Sequence, residues 1–185
     1  MKFFFHSLGK LVGIVFLCCM HLHATEVDKA KLDAIALQSC ISSEHTHIAL
    51  LFPCVHGHHN KVKQIFKHYG KIVYKTTVNL KGNGPLNLLK IAYKNFTEHY
   101  NLEKRFTIQQ PDGSYKLTVV VFKTKSLKKA VRCKCAIRKL FKIGDYPIHI
   151  NDTHEETMEL AQALLIPENL HYINTETLKD VSCLK

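Results

Sequence analysis

Four short stretches of this chain are able to form strands, and each is followed by a segment with helical spacing; that order constrains the fold more than any other feature. His47 to Phe52 is an apolar run stopped by Pro53, the mark of a buried strand. Lys71 to Leu80 alternates its sides through Ile72, Tyr74, Thr76 and Val78 and ends at Gly82-Asn83-Gly84-Pro85, which predicts a strand and its turn. After a turn at Pro111-Asp112-Gly113, Leu117 to Phe122 is an unbroken run rich in valine, a strongly strand-forming composition. Tyr146 to Ile150 is the fourth and shortest candidate.

Helical periodicity fills the intervals. Val27 to Ile41 is amphipathic, and Gly57 to Tyr69 repeats apolar residues at Val62, Ile65 and Phe66 before Gly70, an expected C-cap. Leu86 to Tyr100 starts just after Pro85, where proline is tolerated. Ser126 is an expected N-cap for a helix through Phe141, and Thr153 to Leu165 follows the fourth strand. Asn169 to Asn174 reads as an edge strand or a packed tail.

The order, a helix and then β-α-β-α-β-α-β-α, lets two β-α-β units interleave. The expected fold is α+β: a ferredoxin-like four-stranded antiparallel sheet with helices on one face, plus an extra N-terminal helix. A doubly wound parallel sheet competes, but short strands and a tight second connection suit the smaller plan. The corresponding division is a signal peptide over 1–24, an N-terminal helix and linker over 25–44, the ferredoxin-like domain over 45–174 and a tail over 175–185.

Lys2 and Lys10 flank a Phe-rich start, Leu11 to Met20 is apolar, and Ala24 offers a small residue for cleavage. This reads as an export signal, placing the protein in a periplasm or outside the cell. The apolar run is short for a bilayer span, so a membrane is met only through an uncleaved signal. Loss of the segment leaves 161 of the 185 residues, and 24 basic against 15 acidic side chains, a surplus of nine. That charge favours an anionic or phosphorylated small molecule as partner. Nucleic acid is not expected, because no zinc-finger spacing or RNA-binding aromatic signature accompanies the basic stretch Lys123 to Lys142. Five cysteines remain, Cys40, Cys54, Cys133, Cys135 and Cys183. Cys40 with Cys54 is a plausible disulfide in an oxidising compartment, whereas Cys133 and Cys135 point about 200° apart on a helix and do not bridge each other.

Chemistry concentrates between Ile137 and Glu156. Thr153 and Glu156 have capping-box spacing. His149 stands at a strand end ahead of that helix start, where free backbone N–H groups bind anions. A neutral imidazole is a competent nucleophile towards phosphorus, and Asp152 is placed to orient its tautomer. Arg138 brings a planar cationic fork for phosphate oxygens. His149 is therefore the candidate catalytic residue, Arg138, Asn151 and Thr153 the candidate phosphate contacts, and Asp152 the orienting residue. Asn95-Phe96-Thr97 and Asn151-Asp152-Thr153 also match the glycosylation sequon.

Ile137-Arg138-x-x-Phe141-x-Ile143, followed by His149-x-x-Asp152 and a helix, resembles the C-terminal part of nucleoside diphosphate kinases. That resemblance implies a ferredoxin-like fold, a phosphoryl group carried on His149, a phosphate contact from Arg138, and Asp152 in the strand-to-helix turn. It also implies a nucleotide with magnesium, and a homo-oligomer is compatible with it. The expected function is thus an exported domain binding a phosphorylated ligand or nucleotide, with phosphoryl transfer through the histidine if it is an enzyme.

A second cluster supports a different class. His45, His47, His56, His58 and His59, with Cys54, offer ligands for zinc, copper or nickel. On that alternative the protein is a non-catalytic exported binding protein, holding a transition metal or another protein.

Overall fold

The computed structural model describes residues 28–55, 57–94, 109, 115–144 and 146–178. The expected export signal at 1–24, the expected turn at 111–113, His56, Cys183 and the Asn95 sequon lie outside them. The chain divides into two compact units, Met1–Ile35 and Ala36–Lys185. Helix α1 covers 28–41; its part in the first unit carries an ion pair between Lys29 and Asp33, one turn apart.

In the second unit the elements are β1 (Thr46–Leu51), α2 (His59–Tyr69), β2 (Gly70–Leu80), α3 (Gly84–Ala92), β3 (Tyr115–Thr124), α4 (Leu127–Phe141), β4 (Ile148–Ile150), α5 (His154–Leu165) and α6 (Pro167–Thr175). The strands form one sheet in the order β2-β3-β1-β4, and every neighbouring pair is antiparallel. Two split β-α-β units interleaved in this way are the ferredoxin-like plan that the element order predicts.

Burial separates the middle of the sheet from its rims. All six residues of β1 are buried, as are 117–122 of β3, because both central strands are covered on two faces. That is what an unbroken apolar run demands. β2 instead alternates, with Lys71, Val73, Lys75, Thr77 and Asn79 exposed. Its pairing with β3 is offset between Ile72 and Tyr74, where Val73 forms a bulge.

The two crossover helices, α2 and α4, share one face over Ala49, Leu51, Val120, Phe122, Ile148 and Ile150. The expectation of helices on one face holds for these two only. The opposite face, with Ile48, Leu50, Val119 and Val121, is covered by α3, α5, α6 and the end of α1 around Ala36 and Cys40. Left open, that second apolar face would expose several large side chains, each worth roughly 1.5–3 kcal/mol on burial.

Three local expectations change. Gly70 does occupy the C-cap position of α2, its N–H donating to Phe66 O, but it is extended, at φ −170°, and not left-handed; a Cβ there would run into Lys123 O, so the glycine serves the close approach of β2 to β3. Ser126 occupies the cap position of α4 without a side-chain cap bond. Residues 169–174 belong to helix α6, with Pro167 in its first turn, and not to a strand.

Candidate functional site

β4 is only three residues long, and its side chains alternate across the sheet. His149 lies opposite Leu50, while Ile148 and Ile150 lie opposite Leu51 and Ala49. His149 therefore faces the side covered by α3, α5 and α6. It is 7% exposed, and its ring meets Tyr93 edge to face at 4.6 Å. Arg138 stands on α4, over the other side, and donates from Nη2 to Ile148 O at 3.3 Å. The two groups proposed to share a phosphate are on opposite faces of one sheet.

The remaining members of that constellation hold β4 in place. Asn151 is fully buried; its Oδ1 accepts from Ile48 N at 2.9 Å, and its Nδ2 donates to Thr153 O at 2.7 Å and to Thr157 Oγ1. One side chain thus continues the strand ladder and ties it to α5. Its burial also closes the Asn151 sequon to a glycan. Thr153 Oγ1 accepts from Glu156 N, and Glu156 Oε2 accepts from Asp152 N, one residue ahead of the cap, so the threonine cap forms while the glutamate's return bond reaches past it. Asp152 does not turn towards His149; its Oδ1 receives Lys134 Nζ at 2.6 Å.

Lys134, whose role sequence reasoning missed, is 9% exposed and also donates to Ile150 O at 2.9 Å. Pro147 O accepts from Phe52 N on the β1 side, so by alternation the carbonyls of Ile148 and Ile150 point outward from the sheet. Four residues along α4 rise about 6 Å, and two along β4 about 6.8 Å. Lys134 and Arg138 therefore fall in register with the two outward carbonyls and stand where a fifth strand would. The available signal was the four-residue spacing of two cations ahead of an Ile-x-Ile strand.

The histidine cluster is dispersed. His45 precedes β1 and His47 lies near its start, whereas His58 and His59 follow its far end, so the strand holds the two pairs apart. His47 Nε2 contacts Thr124 Oγ1 at 3.2 Å. Because the Thr124 hydroxyl donates to Ser126 O, His47 must be the donor, which leaves Nδ1 buried without a hydrogen-bond partner. Burial, then His45 and His154, lower its pKa to about 4. His58 packs edge-on against Phe141 at 5.2 Å. Among the described residues, no three His, Cys, Asp or Glu side chains are placed to hold a metal. Cys40, Cys133 and Cys135 are free thiols. The expected Cys40–Cys54 bridge is absent because β1 separates the two: Cys40 is in the core, and Cys54 contacts Tyr146 O. Burial pushes the Cys40 and Cys133 thiols up to about 12, so neither is a ready nucleophile.

A different site lies along the other rim. Between α2 and β2 runs a groove of about 690 Å³ whose floor is Val62, Phe66, Ile72 and Val120 and whose walls carry Lys63, Lys67, Lys71 and Lys75. Lys63 and Lys67 are one turn apart on α2, so both project along the same wall. A second hollow shares Lys67 and Lys71 and adds Lys123, Lys125 and Lys129. Among the described residues no acidic side chain lines either hollow, and none is carried by α2, α4 or any strand. The sequence has no Asp or Glu between Glu44 and Glu98, nor between Asp112 and Asp145. Acidic residues of the described part sit instead in α1, α5, α6 and the adjoining loops.

Among the described residues no helix is long and apolar enough to cross a membrane. Compared with models of known protein families and with curated proteins, the sequence matches neither.

Proposed function

We propose that this protein is a non-catalytic exported binding domain whose ligand is anionic and occupies the groove between α2 and β2. The observation that carries the reading is a one-sided charge distribution: an apolar floor between lysine walls, with no acidic residue among the described residues of its lining. Unpaired like charges repel one another and contribute nothing to the packing beneath them, whereas an anionic partner turns the same field into faster capture and selectivity. Export rests on the N-terminal sequence pattern alone.

The phosphotransferase reading needs Arg138 and His149 at one cavity. Their places on opposite faces, with Asn151, Asp152 and Thr153 engaged in the fold, favour the binding reading over it.

Titrating ¹⁵N-labelled protein with poly-L-glutamate tests the proposal. Saturable shifts are expected at residues 60–75, weakening as salt is raised. Shifts centred on Arg138 to Thr153, or none at all, would overturn it.

A further inference from the structure

β2 is a sheet edge of eleven residues, and among the described residues its only strand neighbour is β3. Half of its backbone N–H and C=O groups therefore point away from the sheet along the rim of the lysine groove. A strand edge of this length is a template for another extended chain. The side chains beside it determine which chain.

On the groove side, Lys75 lies opposite Val120 and Ile72 opposite Phe122, so a cation and an apolar floor residue follow one another along the rim. Val73, turned out by the bulge, is 37% exposed beside them. Lys63 and Lys67 look across from α2. A strand laid along β2 would send every second side chain into this groove, where carboxylates meet lysines and aliphatic side chains meet the floor. An apolar strand would leave the ammonium groups without counter-charge.

Resting on the anionic-ligand reading above, we infer that the groove takes an extended acidic peptide segment of a partner protein, which adds to β2 as a fifth strand. Two other polyanions fit less well. The floor offers a nucleic acid no stacking platform, since Phe66 is 1% exposed and packed edge-on against Phe122 at 5.0 Å. A lipid surface is flat, whereas these lysines line a concavity against a strand edge.

The test uses the protein with three probes: a blocked ten-residue peptide alternating glutamate and valine, the same peptide with two central valines replaced by proline, and a single-stranded oligonucleotide of equal charge. Expected results are binding of the first peptide, new hydrogen-exchange protection of amides along β2, and cross-strand NOEs from it to the peptide. Affinity should fall at least tenfold for the proline peptide, which keeps the charge but cannot pair as a strand. It should fall by a similar factor in Lys71→Glu/Lys75→Glu, with its fold checked by circular dichroism. Equal binding of both peptides without β2 protection would sink strand addition and leave the anionic-ligand reading standing. Tighter binding of the oligonucleotide would also sink it. Failure of all three probes, and of poly-L-glutamate, would remove both.

Discussion

The two rims of the sheet face the same difficulty, a row of backbone groups with no neighbouring strand, and they meet it in opposite ways. β4 is three residues long, and side chains finish it: Lys134 and Arg138 take the outward carbonyls of Ile150 and Ile148, and Asn151 carries the ladder on to Ile48. β2 is eleven residues long, and the groove beside it carries four lysines with no acidic side chain among the described residues of its lining. Polar residues at the first rim are consumed by the fold, and those at the second remain available. A cluster of reactive residue types in sequence is therefore a poor guide to an available site when the elements around it need the same hydrogen bonds.

The largest effect that tests the contrast is expected at Asn151. Replacement by alanine leaves the Ile48 N–H without its acceptor in a fully buried position and removes both donors to α5. A buried donor left unmet costs roughly 1–3 kcal/mol, so with the lost amide bonds the total should reach about 3 kcal/mol. Urea unfolding measures it. A loss below about 1 kcal/mol would mean that the β4 rim does not depend on this side chain.

How much of this was legible in the sequence follows from the same contrast. Continuous runs at His47 to Phe52 and Leu117 to Phe122 marked the doubly covered central strands, and alternation from Lys71 to Leu80 marked a rim; periodicity records burial directly, so the strand and helix order and the antiparallel ferredoxin-like plan could be read. Two-sided helix cover was written in those same runs, since only a strand buried on both faces has no polar alternation. The site was less accessible. Ile137 to Asp152 has a suggestive residue set, but strand parity decides which face each side chain meets, and Ile148-His149-Ile150 places His149 away from Arg138. The lysine groove joins positions 60–75 and 120, and its lack of acidic neighbours becomes visible only when α2 and β2 are set side by side.

Acid probes the middle of the sheet, between the two rims. His47 on β1 has a folded-state pKa lowered to about 4, first by burial and then by His45 and His154, against 6.5 when unfolded. Its neutral form is the one the fold accepts, so below pH 6.5 the unfolded chain binds the proton more readily. Stability contributed by His47 is full above pH 6.5 and declines as pH falls towards about 4, by at most about 1.4 kcal/mol per pH unit. Comparing urea midpoints of the protein and His47→Asn across that window isolates the component. An unchanged slope in the variant would show that another group carries it.

The smallest expected effect is the one that separates fold from partner. Lys71 and Lys75 are exposed, and neither forms an ion pair among the described residues, so Lys71→Glu/Lys75→Glu should leave the unfolding free energy within about 0.5 kcal/mol. Lysines on a rim strand have a second plausible use, which is to stop two copies of the protein from pairing edge to edge. Reversal to glutamate divides the two uses where alanine would not, because a carboxylate still guards against self-pairing but repels an acidic strand. If the lysines serve a partner, the double variant stays monomeric by sedimentation, keeps its stability and loses the peptide. Loss of more than about 1 kcal/mol would instead place these lysines with Asn151, as side chains that the fold itself consumes.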